Sequence, residues 1–358
     1  MEIHINGIGV VGGFGAGTED LIMFLKKEST PLKVQAARHG PAFLADTSRL
    51  EDFVPKRALR RIDRFSQMAI LGAYLSLQDA GMPSLNAKRT GLIVCSGYGP
   101  SQTTFSFLDS IINDGDACAS PTLFSNSVHN SAAGHISILL KLGGPCLTVS
   151  QFEMSVPSAL MSACRWLDEG RVDQVLFGAV DEYCDVLGYC WRRFFGEGYD
   201  GIMSPLSQDL QSSVPGEGSA FFLLSRDKTD HSRYGYIADV RMGRMKGGEI
   251  DLSEAALYIL GADGHKECDG FYKHFIPEGI NAACYSPIYG SLPIGPAFDM
   301  AVAALCIREG RIFSSPESVA DQGRYKIVRQ PSPMTRGGIT CIKLSKNHEF
   351  GLITLRSV

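Results

Sequence analysis

The amino-acid sequence predicts an α/β protein with mainly parallel sheets, built as two similar halves at residues 1–225 and 233–358. Two observations predict it. Short apolar runs of strand type alternate with runs of helical spacing along all 358 residues. The alternation then restarts, with weaker similarity, after a polar and charged stretch, SRDKTDHS at 225–232. A chain that is 44% hydrophobic and 20% charged has ample apolar surface for a large core, so neither half needs a metal or disulfide staple.

Taken in order, residues 2–8 form a short strand. Residues 61–81, RIDRFSQMAILGAYLSLQDAG, repeat apolar positions at helical spacing and stop at Gly81. GLIVC at 91–95 is a buried strand, 131–142 is helical, and 146–150 is a strand leading into a corner. A helix over 156–170 ends on Gly170, and QVLFGAV at 174–180 and GSAFFLL at 218–224 are strands. In the second half, 234–240 is a strand, 253–260 is mixed, 296–309 is a helix and 351–355 is a closing strand.

Composition excludes several classes. A formal net charge of -4 gives no signal for nucleic acid. No apolar run approaches the ~20 residues of a membrane helix. The start, MEIHINGIGVVGG, lacks the basic region of a secretory signal, so a cytoplasmic protein is expected. Ten cysteines without CxxC pairs are expected as reduced thiols, with no metal site, and no cofactor is implied. Cys146 and Cys164 are expected as small buried hydrophobes. Gly7-x-Gly9-x-x-Gly12 has the letters of a dinucleotide fingerprint, but no acidic residue ends a second strand ~20 residues on, so a strand-turn glycine cluster is expected.

The most informative stretch is 144–160, GPCLTVSQFEMSVPSAL, read as a strand, a sharp turn and a helix. It resembles the corner that holds the nucleophilic cysteine in the ketoacyl synthases of the thiolase fold, GPxxTVSTACAS, with Glu153 where the cysteine would stand. Further pieces resemble that family in collinear order: NGIGVVGGFG at 6–15, RIDRFSQ at 61–67, SPTLFSNSVHNSAAG at 120–134, AVDE at 179–182 and PGEG at 215–218. The resemblance implies a layered α-β-α-β-α sandwich. It also implies catalytic positions that this chain does not fill. The first family histidine aligns with Asp263 in LGADGHK at 260–266. The second aligns with Ser291 and the supporting lysine with Ser286, in SPIYGS at 286–291. The Gly-rich loop aligns with LSKNHE at 344–349, which has no glycine for that turn. A carboxylate at 153 cannot carry an acyl chain as a thioester, because the reaction needs a thiolate.

Five changes together imply a scaffold kept and a chemistry lost, since catalytic groups act as a unit. The chain then resembles the chain length factors of type II polyketide synthases, which lack the cysteine and pair with an active ketoacyl synthase. GSLPIGPAFD at 290–299 and SVHN at 127–130 add to this likeness. The implied partners are an active synthase, in a heterodimer, and an acyl carrier protein, and the implied product is an aromatic polyketide or an aryl polyene. Two alternatives stay open: a malonyl decarboxylase or priming subunit using Glu153, with His265 as its candidate assistant, and a homodimeric relative that binds carrier protein without catalysis. Glu153 itself is either a catalytic acid of raised pKa or a polar plug at a helix start. Thr103, Thr104, Phe105, Leu108, Leu123 and Phe124 are either ordinary core or, as the resemblance implies, the wall of an acyl tunnel at the dimer interface. His129 and His135 are expected as satisfied polar residues.

Overall fold

The computed structural model describes residues 2–26, 35–82, 85–195, 201–207, 210–229, 232–320, 323–335 and 337–357. Asp230 and His231 of the expected break lie outside the described residues. The strands of the first half are β1 (Ile3–Gly12), β2 (Thr90–Cys95), β3 (Cys146–Val149), β4 (Gln174–Asp181) and β5 (Gly218–Ser225). Those of the second are β6 (Tyr236–Arg244), β7 (Leu257–Leu260), β8 (Asn281–Ala283), β9 (Ile339–Leu344) and β10 (Glu349–Arg356). The first half runs β3-β2-β4-β5-β1 and the second β8-β7-β9-β10-β6, the same order of third, second, fourth, fifth and first strand.

The pairing senses repeat as well. In each half the first three strands of that order are parallel and the last two antiparallel. The sheet is therefore mixed, not mainly parallel as the alternation suggested. The reason is local: β9 and β10 are joined by four residues, too few for anything but a hairpin. The halves meet where β1 and β6 pair antiparallel over Ile3↔Ile237 and His4↔Tyr236.

The principal helices are α1 (Arg64–Asp79), α2 (Ser101–Asp114), α3 (Pro121–Asn126), α4 (Ser131–Leu139), α5 (Ser155–Asp168), α6 (Asp185–Phe195), α7 (Lys266–Phe275) and α8 (Gly295–Glu309). Helix α1 starts on Asp63, whose carboxylate accepts the Ser66 N–H, and packs on β1, β4 and β5. There Gly7 and Gly9 have a packing role: a Cβ on either would lie 2.2 Å from the Ser76 carbonyl oxygen or 2.0 Å from that of Gly72. The glycines let strand and helix backbones touch, and no phosphate loop is formed.

Helices α5 and α8 fill the space between the halves. Helix α5 packs on β2 and β4 of one half and β6 and β10 of the other, while α8 packs on β1, β5, β9 and β10. Every residue of α8 from Gly295 to Cys306 is buried, as a helix apolar all round requires. Helix α1 covers the outer face of the first half and α7 packs on β9 of the second. This is the layered thiolase-type architecture.

One strand departs from expectation. β3 is an edge strand, bonded only to β2, and its residues are exposed or half-buried, so Cys146 is exposed, not buried. The apolar run CLTV is real, but among the described residues no strand pairs with its outer edge. Cys164, on α5, is buried as expected.

Candidate functional site

The corner after β3 is sharp. Val149 ends the strand, Phe152–Met154 make one tight turn, and α5 begins at Ser155. The turn places Phe152 at φ 49, left-handed backbone that costs a bulky residue on the order of 1 kcal/mol. Ser155 secures it: its Oγ accepts the Gln151 N–H at 2.7 Å and donates to the Ser96 carbonyl at 3.0 Å, tying the corner to the end of β2. Glu153 projects from this turn into a pocket of about 380 Å³. Burial pushes its carboxyl above the ordinary glutamate value, and nearby Lys343 only partly offsets that.

The second half supplies the rest of the polar floor. Asp263 follows β7, Ser291 lies in the turn before α8, and Lys343 is on β9. Lys343 Nζ donates to Asp263 Oδ2 at 3.1 Å and to the Gly261 carbonyl at 2.9 Å, and Ser291 Oγ donates to the same Asp263 oxygen at 2.8 Å. Desolvation opposes a charged Asp263, but Lys343, His265 and these hydrogen bonds outweigh it and hold its carboxyl below the usual range. Lys343 is held well above its ordinary value by Asp263 and Glu153 against its own burial. The pair is ionised, with the Lys343 and Ser291 bonds to Asp263 both falling on one oxygen, Oδ2.

Glu153, Asp263 and Ser291, far apart in sequence, therefore line one pocket, and His265 lines it too. Ser286 does not. It is buried and donates to the Ala262 carbonyl at 2.6 Å. Residues 344–349 turn without glycine because His348 takes the left-handed conformation, at φ 58, and Lys346 and Asn347 line the mouth.

The match to known proteins fits this geometry. The model of the beta-ketoacyl synthase N-terminal domain matches residues 17–230. The chain belongs to the beta-ketoacyl synthase family. It is 33% identical to nodulation protein E of Rhizobium leguminosarum bv. trifolii over 178 residues, which are 49% of this chain and 44% of that protein. It is 26% identical to 3-oxoacyl-[acyl-carrier-protein] synthase 2 of Vibrio cholerae serotype O1 over 196 residues, 51% of this chain and 46% of that one. These matches span about half the length of the curated relatives. A solved ketosynthase in complex with its chain length factor, from Xenorhabdus doucetiae, superposes with a TM-score of 0.80 at 14% identity, covering 100% of this chain and 98% of that one. That likeness speaks for the fold.

Within this ketoacyl synthase frame, the six candidate tunnel residues lie elsewhere than the pocket. Phe105 and Leu108 on α2 and Phe124 on α3 are exposed, Phe124 by 58%, and Thr104 and Leu123 are half-buried. They are not core. Thr103 differs: it is buried, with its hydroxyl on Asp63 at 3.3 Å, and reaches no surface. His135 bonds Asn126 at 3.1 Å, and His129 is exposed.

Three features escaped the sequence reading. Lys343 was legible as the lone charge in ITCIKL, a strand otherwise apolar on both faces. Trp191, Phe194 and Phe195 of α6 wall the pocket, and no motif marks them. Lys56, Arg57, Arg60 and Arg61 form an exposed basic cluster, joined to α3 by the Asn126 side chain donating to the Arg61 carbonyl at 2.8 Å. Among the described residues no His, Cys, Asp and Glu cluster could hold a metal, and no helix is long and apolar enough to cross a membrane.

Three buried acids set a pH dependence. Burial pushes Asp269 and Asp299 up to about 7 and Glu182 up to about 8. Each folded value lies above the ordinary 3.8 or 4.5, so the native state keeps a proton that the unfolded chain has released. The stability they contribute is fully present below the unfolded value and is lost as pH rises through the folded one. His4, His135 and His265 are lowered chiefly by burial and act only on the acid side of 6.5. Thermal midpoints should therefore fall from about pH 6.5 to about pH 8 and level off above it, and Glu182→Gln should flatten the fall. A midpoint that rises over that interval would refute this.

Proposed function

We propose that this chain is the catalytically silent member of a ketoacyl synthase pair, a chain-length-factor-like subunit that closes the acyl tunnel of an active synthase in type II polyketide synthesis. The observation that carries the reading is the pocket floor. It offers a carboxyl in place of a thiolate, and an Asp263–Lys343–Ser291 network in place of two imidazoles. The Asp263 carboxylate has no N–H to give a thioester carbonyl and is held by Lys343 and Ser291.

The surface around the open edge of β3 supports a partner. Ile138 and Met161 are exposed on the two helices packed against it, Ile138 by 74%, and Phe105, Leu108, Ile112 and Phe124 are exposed on α2 and α3. A lone soluble chain rarely leaves so many large apolar groups in water. The basic cluster at 56–61 is suited to an acidic partner such as a carrier protein. The solved complex from Xenorhabdus doucetiae, of a ketosynthase with its chain length factor, has the fold such a pairing would use.

Co-expression with a synthase encoded beside this chain should yield a complex of one copy of each by native mass measurement. A monodisperse monomer that binds no synthase would overturn the reading. In the reconstituted pair, Phe105→Ala or Phe124→Ala should lengthen the product and Thr104→Phe should shorten it. A growing chain meets these side chains sterically, and a packed wall yields to an extra group only at ~1–3 kcal/mol. Product masses unchanged in all three active variants would place the length ruler elsewhere.

A further inference from the structure

We propose that the pocket beside Glu153 binds an organic ammonium, a primary amine carried on an apolar or aromatic body. The walls are aromatic: Tyr98, Phe152, Trp191, Phe194 and Phe195 all face the cavity, and ring faces attract cations. The charges on the floor and rim are matched except one. Lys343 is paired with Asp263 at 3.1 Å and Lys346 with Glu267 at 3.0 Å. Glu153 has no side-chain hydrogen-bond partner for its carboxyl among the described residues: the nearby Lys343 cation is bonded to Asp263, and Asp263 and Glu349 add carboxylates around it.

The His265 ring lines the same pocket, and burial holds its imidazole below the ordinary histidine range, so it adds no positive charge near neutral pH. The open carboxyl calls for a ligand with donors and a positive charge. An ammonium has three, whereas a ketone has none and a carboxylate adds like charge. A cation would also hold Glu153 in its ionised form, recovering what burial costs that group. About 380 Å³ suits a ligand of one ring and a short arm.

The inference does not depend on the pairing proposed above, which is read from co-purification. Its test is calorimetric titration of the 358-residue chain at neutral pH with three probes of one shape: phenethylammonium, 4-phenyl-2-butanone and 3-phenylpropionate. Trp191 emission gives a second readout, with Trp166→Phe assigning the signal to the pocket. Phenethylammonium should bind at least about tenfold tighter than the other two. Glu153→Gln should remove about that tenfold without lowering the thermal midpoint, and Trp191→Leu should weaken binding without altering any charge. The proposal is overturned if the ketone or the carboxylate binds as tightly as the amine. It is equally overturned if Glu153→Gln leaves amine affinity intact, or if none of the three probes gives heat or an emission change.

Discussion

Lys343→Met should cost about 3–5 kcal/mol of folding stability, because it leaves the Asp263 carboxylate buried without its cation. Lys343 is 5% exposed at its side chain, and its Nζ bonds both Asp263 and the Gly261 carbonyl. Methionine has a comparable length and stays within an apolar strand, so packing changes little and the charge is what is lost. The companion variant Lys343→Met with Asp263→Asn removes both charges and keeps an acceptor for Ser291. It should recover most of the loss, since a buried ion pair and its neutral replacement are often close in energy. Urea midpoints of the two single variants and the double variant close the cycle. Should the double variant prove as unstable as the sum of the singles, the pair is not the coupled unit described.

The wild-type chain and Glu153→Cys should both fail to condense acyl and malonyl carrier-protein thioesters. A thiol at 153 would sit at the start of α5, where the helix field favours a thiolate, so nucleophilicity itself is not the missing item. The remaining chemistry is. A thioester carbonyl entering this pocket meets Asp263 and Ser291, and Asp263 is committed to Lys343. Catalytic groups that act together lose on the order of 10³-fold or more when one is absent, and here the substitutions are concerted. Product mass analysis with both thioester substrates decides it. Condensation by Glu153→Cys above the no-enzyme background would show that Asp263 and Ser291 can serve after all.

The fold was legible because its signals are local and repeated. Apolar runs such as GLIVC and QVLFGAV can only be buried strands, and Gly-terminated helical runs ended within two or three residues of the observed α1 and α5. The mixed sheet was harder to see, since strand sense depends on loop length and the β9–β10 loop had been aligned to a Gly-rich turn. The pocket was half legible. Glu153, Asp263 and Ser291 could be placed by motif, but Lys343 donates its charge from a strand that no motif covers. Exposure at β3 could not be read at all. A strand apolar on both sides gives the same letters whether its cover comes from its own chain or from another.

Helices α5 and α8 carry a last consequence. Because each packs on strands from both halves, neither half owns the layer that completes its core. The internal duplication is thus one of topology and not of folding units. Severing the chain between β5 and β6 would leave two pieces, each exposing an apolar face that the other had covered. Melting should be cooperative across the whole molecule, and damage at the buried end of α8 should be felt at Glu153 as much as in the strands it touches.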